Sequence, residues 1–568
     1  MVPTSKKNIS EILLLSTLGL CHSLFWGVMH FGYLNYSYSY IYFDTSFDFL
    51  ADSFFYSHGI SYVESFLLTF FRWRWLGVLI LFLPVLGVYI ISRKILSELN
   101  LNSLKLLDFL PAITLMISQH FVHFYMQKSL VVLLMLTIIC FYIILRDNKF
   151  RYLLLLGFFI PLFLLSKLEL ALLCFTLLCI EFFVSSDKHR YFLSVVYLIL
   201  TILFAVFYFV KIPVTPLFIV EMPILIGIQL ALVLLFVLLS KFEKQLNLVI
   251  IGWKRNVLFI LIFGMLGASF VSNKELETKE LYARLDMALL DNDFDEILSL
   301  TKKQKIEKEE NFYPYVFYAL AQKGQLAKSL FQYEVNTSNF LSEALPLHTN
   351  STTLLTICFY KNLGLLNEAI HQAFQLGISL ERGNCFRSMC MLVDLNIEKG
   401  EVHIAEKLLK KLDYTIVHKD FIQSRREMIK IKSKSSNTDF DKYLYINKDQ
   451  FLNISYALFL AEKDSRFVKD YFLCSLLLSG EYPAFCSSYG DMFSYNCKDR
   501  VYAEALVMAR DMGIYNSQFI VPDRLEQSWY NFKLILGNQW ITSRERERRF
   551  SAFRNTWWYY YLKKQGEL

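Results

Sequence analysis

The 568-residue chain is 55% hydrophobic, 17% aromatic and 19% charged, with a mean hydropathy of +0.37. Soluble proteins are nearer to about one quarter charged, so this composition argues against an ordinary cytosolic protein. It also excludes an intrinsically disordered chain, because 52 Phe and 34 Tyr side chains require burial.

Charge is concentrated in the second half of the chain. Residues 1–272 hold 19 Lys and Arg against 13 Asp and Glu, whereas residues 273–568 hold 39 against 38. The sequence therefore predicts an all-α protein with a multi-pass membrane domain over 1–272 and a polar helical half after it. Because the polar half is nearly neutral, it offers no net basic face to phosphates, and we expect no nucleic-acid partner.

Apolar runs in the first half are long enough to cross a bilayer, for which a helix needs about 20 mostly apolar residues. Segment 152–184 is too long for one span and carries Lys167 and Glu169 near its centre, so we expect two helices that meet at a turn near Lys167. With these two, nine spans are predicted. The other seven are 12–34, 75–91, 106–125, 129–145, 191–210, 217–239 and 257–271.

The distribution of basic residues gives the nine spans an orientation. With the N-terminus in the cytoplasm, 14 of the 19 Lys and Arg residues fall on the cytoplasmic side, as the positive-inside rule expects. A single span over 152–184 would weaken this bias. We therefore predict a multi-pass inner-membrane protein whose chain after residue 271 lies in the periplasm or its equivalent.

The first outer loop, 35–74, carries the residues that we consider first for catalysis. Asp44, Asp48 and Asp52 are spaced four apart, so on a helix they would share one face. Phenylalanines interleave with them, which is typical of a segment that lies along a membrane surface. Arg72 and Arg74 close the loop between tryptophans and could meet a phosphate or a lipid headgroup. The alternative is that the three carboxylates are simply a solvated face.

A second cluster is expected where the third predicted span reaches the same surface. His120 and His123 would lie on one helical face there, with Lys128 just beyond as a further candidate phosphate ligand. Two histidines opposite the loop carboxylates could bind a divalent metal ion or hold a general base. Interfacial packing is the alternative, because histidines three apart on a helix are common.

The polar half shows a repeated pattern of helix, short polar turn and helix. The turns fall at Asn292, Gly324, Gly364, Gly400 and Gly480, and an Ala follows most of them within five residues. The pattern resembles tetratricopeptide-type repeats, which stack into an α-solenoid that binds proteins or peptides. The repeats would occupy 273–430 and 451–568, with an exposed linker over 431–450. A compact helical cap without a partner is the alternative.

The end of the chain combines a charged stretch with an aromatic one. "SRERERRF" predicts a solvated helix, and the rings of "NTWWYYY" would either fill the last repeat or dock at the membrane interface. Six cysteines lie in this half. They could form disulfides in an oxidising compartment, although no zinc-like Cys-x-x-Cys pair is present.

The order of these parts resembles that of GT-C-type glycosyltransferases, which combine a long first outer loop, many spans and often a soluble outer domain. Asp44, Asp48 and Asp52 occupy the part of the loop where the acidic residue of that family would lie, although an adjacent Asp-Glu pair is missing. More narrowly, the loop 43–77 and the closing "NTWWYYY" are similar to a family of bacterial multi-pass membrane proteins of unknown function with helical-repeat tails.

The resemblance implies transfer of a sugar from a lipid-linked phosphate donor to an envelope acceptor. Arg72, Arg74 or Lys128 would hold the phosphate, and a loop aspartate would deprotonate the acceptor. A non-enzymatic scaffold is the second hypothesis and a transporter the third. An enzyme requires a loop aspartate that lines a cavity between the spans, whereas a scaffold predicts carboxylates directed to water and tightly packed spans.

Overall fold

The computed structural model describes most of the chain. The described residues are 4–38, 42–55, 59–101, 107–121, 126–145, 164–184, 190–211, 216–246, 264, 267, 274–303, 312–333, 350–378, 386–432, 465–493, 497, 499–514, 520–537 and 543–566.

The chain folds as two compact units. Unit 1 comprises Met1–Glu280 together with Lys410–Gln423, and unit 2 comprises Leu281–Leu409 together with Ser424–Leu568. Throughout the described residues the regular elements are helices, which confirms the all-α class. The division also assigns to unit 1 a short segment, Lys410–Gln423, that the sequence pattern placed within the repeats.

Ten helices of unit 1 are described, with a π-helical turn (Phe25–Met29) after the first and a 3-10 turn (Thr69–Arg72) before the fifth. In chain order they are α1 (Thr4–Leu24), α2 (Phe31–Tyr38), α3 (Phe47–Phe55), α4 (Ile60–Leu68), α5 (Arg74–Glu98), α6 (Phe109–Gln119), α7 (Met126–Ile144), α8 (Lys167–Val184), α9 (Arg190–Lys211) and α10 (Pro216–Leu246).

Four stretches of helix among the described residues are long and apolar enough to cross a membrane. They are Glu11–Met29, Arg74–Glu98, Met126–Ile144 and Ile224–Lys241. Two shorter apolar helices, Phe109–Gln119 and Arg190–Val206, fall within two further predicted spans. Residues 152–163 of the pair predicted over 152–184, and the span 257–271 apart from Gly264 and Gly267, lie outside the described residues, so the count of nine stays a prediction.

The helix break expected near Lys167 is confirmed on its C-terminal side, where α8 begins at Lys167. Ser166 is not helical, and its N–H donates to the Glu169 carboxylate at 2.7 Å while the Glu169 N–H donates to Ser166 Oγ at 3.3 Å. This reciprocal pair is a capping box, which fixes the start of a helix. Glu169 is thus buried as a helix cap.

The long helices of unit 1 pack around one apolar core to which α1 and α5 to α10 contribute. Buried amides join them across the core. Gln229 of α10 donates to the Pro111 carbonyl at 3.0 Å, and Gln119 donates to the Leu81 carbonyl at the same distance. Side-chain hydrogen bonds of this kind hold helices together where the apolar environment gives little preference between partners.

Unit 2 contains fifteen described helices. The first, α11, begins in unit 1, and the end of α18 and the start of α19 also belong to unit 1. They are α11 (Lys274–Leu290), α12 (Phe294–Lys303), α13 (Tyr313–Gln322), α14 (Leu326–Ser329), α15 (Asn350–Asn362), α16 (Leu366–Ile378), α17 (Phe386–Lys399), α18 (Val402–Leu412), α19 (Lys419–Lys432), α20 (Arg466–Ser479), α21 (Tyr482–Met492), α22 (Arg500–Asp511), α23 (Asp523–Leu536), α24 (Ser543–Phe550) and α25 (Trp557–Lys564).

The five predicted turns are confirmed, and they share one backbone geometry. Each turn residue is left-handed: φ is +55° at Asn292, +61° at Gly324, +75° at Gly364, +89° at Gly400 and +88° at Gly480. The next residue donates its N–H to the carbonyl five positions back at 2.8–2.9 Å in every case. This is the Schellman geometry, which favours Gly because a side chain is strained there.

The alanines that follow the turns confirm the predicted packing at three of four positions. Ala327, Ala369 and Ala405 are fully buried, so their small side chains let the second helix of each pair approach closely. The prediction is wrong at Ala484, which is exposed. On α21 the buried face passes through Phe485 instead.

The aromatic end of the chain fills unit 2, which confirms the first of the two alternatives. Trp557 and Trp558 are fully buried in its core. The backbone N–H of Trp557 donates to Glu504 Oε2 at 2.7 Å, and Oε1 of the same carboxylate accepts from Arg500 Nε. Burial raises the pKa of Glu504, and both partners oppose the rise. The charged helix α24 is largely exposed, as predicted.

Two remaining predictions of the sequence concern cysteines and the linker. Among the described cysteines no disulfide bond is formed. Cys385 and residues 433–450 of the predicted linker lie outside the described residues.

Candidate functional site

The segment 35–74, predicted as the first outer loop, contains a non-helical stretch, residues 42–46, that leads into α3. Asp44 lies in this stretch, whereas Asp48 and Asp52 lie on α3. The expectation that all three carboxylates share one helical face is therefore wrong for Asp44. The reason is local: Ser46 accepts a hydrogen bond from the Phe49 N–H and so starts the helix after Asp44.

Asp44 is buried and its carboxylate is occupied by neighbours. Oδ1 accepts from the Ser46 N–H at 2.7 Å and from the Ser46 hydroxyl, and Oδ2 lies 2.8 Å from the Tyr42 hydroxyl. These contacts orient the serine that caps α3. In this arrangement Asp44 acts as a structural acceptor, with three of the roughly four acceptor positions of its carboxylate occupied.

The stretch 42–46 is hydrogen-bonded to Lys410–Gln423, the segment of unit 1 that comes from later in the chain. The Thr45 N–H donates to the Tyr414 carbonyl at 3.1 Å, and the Tyr42 hydroxyl lies 2.9 Å from the Lys411 carbonyl oxygen. Burial, followed by the neighbouring charge of Asp44, raises the pKa of Tyr42, so its hydroxyl remains a donor. The loop and the turn 411–414 therefore form one hydrogen-bonded element.

Asp48 and Asp52 are exposed, and so is Phe47 beside them. The opposite side of the loop carries packed rings: Phe43 and Phe49 lie edge to face with ring centroids 5.7 Å apart. The exposed carboxylates correspond to the solvated-face alternative for these two residues. Their proposed catalytic role stays a prediction.

The two arginines at the end of the loop have different surroundings. Arg74 donates from Nε to the Gly27 carbonyl in the π-helical turn, and its guanidinium lies 4.8 Å from the Phe31 ring and 5.3 Å from the Trp75 ring. Arg72 is exposed on the 3-10 turn. Burial and, to a smaller degree, the charge of Arg72 lower the pKa of His418 to about 4.

Lys128 is buried in the first turn of α7, next to Gln127. The Gln127 N–H donates to the carboxylate of Glu64, which is buried on α4. This lysine is therefore packed among helices of unit 1 and does not lie on the surface with Arg72. Phosphate binding by Lys128 stays a prediction.

His120 follows the end of α6 and is buried in an aromatic cluster. Its ring stacks on Phe25 with centroids 3.7 Å apart, and His22 and His30 lie close to it. His123 lies outside the described residues. Across the described part of the chain, no three His, Cys, Asp or Glu residues are grouped so that they could hold a metal ion.

Sequence reasoning missed two histidines and one carboxylate of this region. His22 and His30 join His120, yet nothing in their spacing indicates this cluster. The Glu280 carboxylate accepts from the Gly32 and Tyr33 N–H groups at 2.9 and 2.6 Å, and so caps the start of α2. A contact between residues 248 positions apart has no local signal.

These features define an all-helical protein with candidate membrane-spanning helices in one unit and paired helices in the other. The chain belongs to a family of unknown function (DUF6057), whose sequence profile matches residues 6–564. The expected membership of an uncharacterised family is thereby confirmed over nearly the whole chain. No curated protein and no solved structure matches it.

Proposed function

We propose that this protein is a membrane-anchored helical-repeat scaffold that binds a protein or peptide partner through unit 2. The observation that carries the proposal is the Schellman turn repeated at five helix pairs, because helix pairs that stack with one turn geometry form extended binding surfaces. The tetratricopeptide-like nature of the repeats is part of the proposal.

Exposed apolar side chains in unit 2 support a partner of this kind. Phe374 and Ile378 lie one helical turn apart on α16, and both are exposed, whereas Ala373 and Leu376 on the same helix are buried. A helix that is apolar on its inner face and also on part of its outer face is typical of an interaction surface. We infer that this part of α16 contacts the partner.

The topology belongs to the same proposal. Nine spans with a cytoplasmic N-terminus would place unit 2 in the periplasm of a bacterial inner membrane, and the excess of Lys and Arg on the cytoplasmic side supports this orientation. Alkaline phosphatase fused after residue 300 should be active, and β-galactosidase at the same place inactive. The reverse pattern would contradict the orientation.

Site-specific crosslinking in cells tests the scaffold. A photo-crosslinking amino acid in place of Phe374 should give an adduct of one discrete mass, and Ile378→Asp in the same chain should lower its yield at least about tenfold by placing a charge in the contact. The control carries the crosslinker at Asn531, an exposed polar position of α23. Absence of an adduct at 374, or the same adduct at 531, would contradict the proposal.

A GT-C-like glycosyltransferase that uses a lipid-linked donor, the first hypothesis from the sequence, is the second candidate here, and a transporter is the third. The scaffold predicts that Asp48→Asn and Asp52→Asn keep the envelope glycan profile of the wild type, since both carboxylates are solvated. Asp44→Asn is expected to loosen the start of α3, because the amide cannot replace all three accepted contacts. Loss of a glycan in Asp48→Asn or Asp52→Asn, at unchanged protein abundance, would favour the enzyme.

A further inference from the structure

The helix α5 exposes large apolar side chains at helical spacing. Trp75, Leu79 and Leu83 follow one another at intervals of four residues and are 59%, 51% and 51% exposed. The opposite side of α5 packs into the core of unit 1. In a helix that is long and apolar enough to cross a bilayer, such a stripe is the side that faces lipid, and Trp75 marks its outer end.

A series of aromatic rings connects the outer loop to the start of this stripe. Ring centroids lie 5.4 Å apart between Phe43 and Phe66, 5.2 Å between Phe66 and Phe70, and 6.2 Å between Phe70 and Trp73. Phe43 is buried, whereas Trp73 is 48% exposed. The rings thus run from the packed interior of the loop to its surface beside α5.

Arg72 lies between the last two of these rings in sequence, and its guanidinium is exposed. Within the described part of the chain it forms no hydrogen bond or ion pair, and the neighbouring His418 is uncharged at pH 7 because the pKa of that histidine is about 4. Arg74 differs, since its guanidinium is fixed on the Gly27 carbonyl and on two rings.

We propose that the turn Thr69–Arg72, with Trp73 and Trp75, is an interfacial site that binds the phospholipid headgroups of the bilayer. Trp73 and Trp75 lie among the headgroups and upper acyl chains, and Arg72 donates to a lipid phosphate. Guanidinium groups suit this role because they present several donors to the oxygens of one phosphate. The site is independent of any partner of unit 2.

Fluorescence quenching tests the position of the tryptophans. The full-length protein is placed in nanodiscs that contain phosphatidylcholine brominated near the headgroup. Replacing Trp73 by Phe should lower the quenched fraction of the emission, whereas Trp529→Phe, at a buried position of unit 2, should not. An unchanged quenched fraction in both Trp73→Phe and Trp75→Phe would overturn the proposal.

Lipid titration of the detergent-solubilised full chain, followed by native mass spectrometry, tests Arg72. Arg72→Gln should weaken phosphatidylglycerol binding about tenfold, because the variant loses a charge-assisted hydrogen bond to the phosphate. Arg524→Gln, an exposed arginine of unit 2, is the matched control and should change nothing. Diacylglycerol, which lacks the phosphate, should bind both variants as it binds the wild type.

Two results would contradict the phosphate contact. Equal phosphatidylglycerol affinity in Arg72→Gln and wild type would show that the guanidinium does not meet the headgroup. An equal loss of diacylglycerol binding would show that the substitution disturbs the apolar surface instead. Thermal unfolding of each variant identifies misfolded protein, and in that case Arg72→Lys serves as the second variant and should weaken binding by a smaller factor.

Discussion

The paired helices of unit 2 and the outer loop of unit 1 are held by contacts of very different range. The Schellman turns of unit 2 close within six residues, as at Gly480, where the Glu481 N–H bonds to the Leu476 carbonyl. In the outer loop, Tyr42 contacts the Lys411 carbonyl, which is 369 positions away. Local chemistry therefore determines where the repeats turn, whereas the loop conformation depends on a distant part of the chain.

The largest effect on stability is expected from removing the indole ring of Trp557 from the core of unit 2. Trp557→Ala should lower the free energy of unfolding of unit 2 by about 3–5 kcal/mol, because a fully buried indole leaves a large cavity. Urea-dependent pulse proteolysis of the full chain, with unit 2 fragments read by mass spectrometry, measures this change.

The exposed tryptophan of the outer loop provides the contrast. Trp73→Ala should change the free energy of unfolding of unit 1, read from unit 1 fragments in the same experiment, by less than about 0.5 kcal/mol, since surface substitutions rarely do more. Comparable losses of unfolding free energy in Trp557→Ala and Trp73→Ala would contradict the contrast between a buried and an exposed tryptophan.

Acid should act on the outer loop more than on the repeats. Burial and Arg72 lower the pKa of His418 to about 4 from its usual 6.5, so the unfolded segment binds protons more readily than the folded one. The contribution of neutral His418 to stability is present above pH 6.5 and is lost as the pH falls towards 4. At pH 5 the loss is at most about 2 kcal/mol.

Hydrogen exchange of peptides that cover 411–418 measures this effect, with rates corrected for intrinsic exchange at each pH. Protection should fall between pH 7 and pH 5 in the wild type and change less in His418→Gln. The matched control is His403→Gln, at an exposed position of α18, which should keep the wild-type response. A pH response that persists unchanged in His418→Gln would assign the effect to another group.

The smallest effect concerns one turn of the repeats. Gly480→Ala should destabilise unit 2 by about 1 kcal/mol, because φ is +88° and an L side chain is strained there, although the added Cβ meets no atom closer than 3.5 Å. Gly537→Ala is the control, since φ at Gly537 is −78°. Urea midpoints of the two variants should differ, and equal midpoints would remove backbone strain as the reason for glycine in these turns.

The same difference in range explains what the sequence could predict. Helix pairs and their five turns follow from Gly and Asn signals that act within a few residues, and the break near Lys167 follows from the length of 152–184 and its central charges. The position of Asp44 before α3 also has a local cause, the capping Ser46, which the spacing of the three aspartates does not reveal, whereas the contact of Thr45 with Tyr414 has no local signal. The histidine cluster was only partly anticipated, since it brings His22 and His120 together from α1 and from the end of α6.

Unit 1 contains Lys410–Gln423, and this has a consequence for how the protein is made. The partners of Tyr42 and Thr45 do not exist until the ribosome has translated some 370 further codons. During that interval the donors of residues 42–46 lack these acceptors and must hydrogen-bond elsewhere. A gene truncated before codon 410 would therefore yield a unit 1 without the partners of Tyr42 and Thr45.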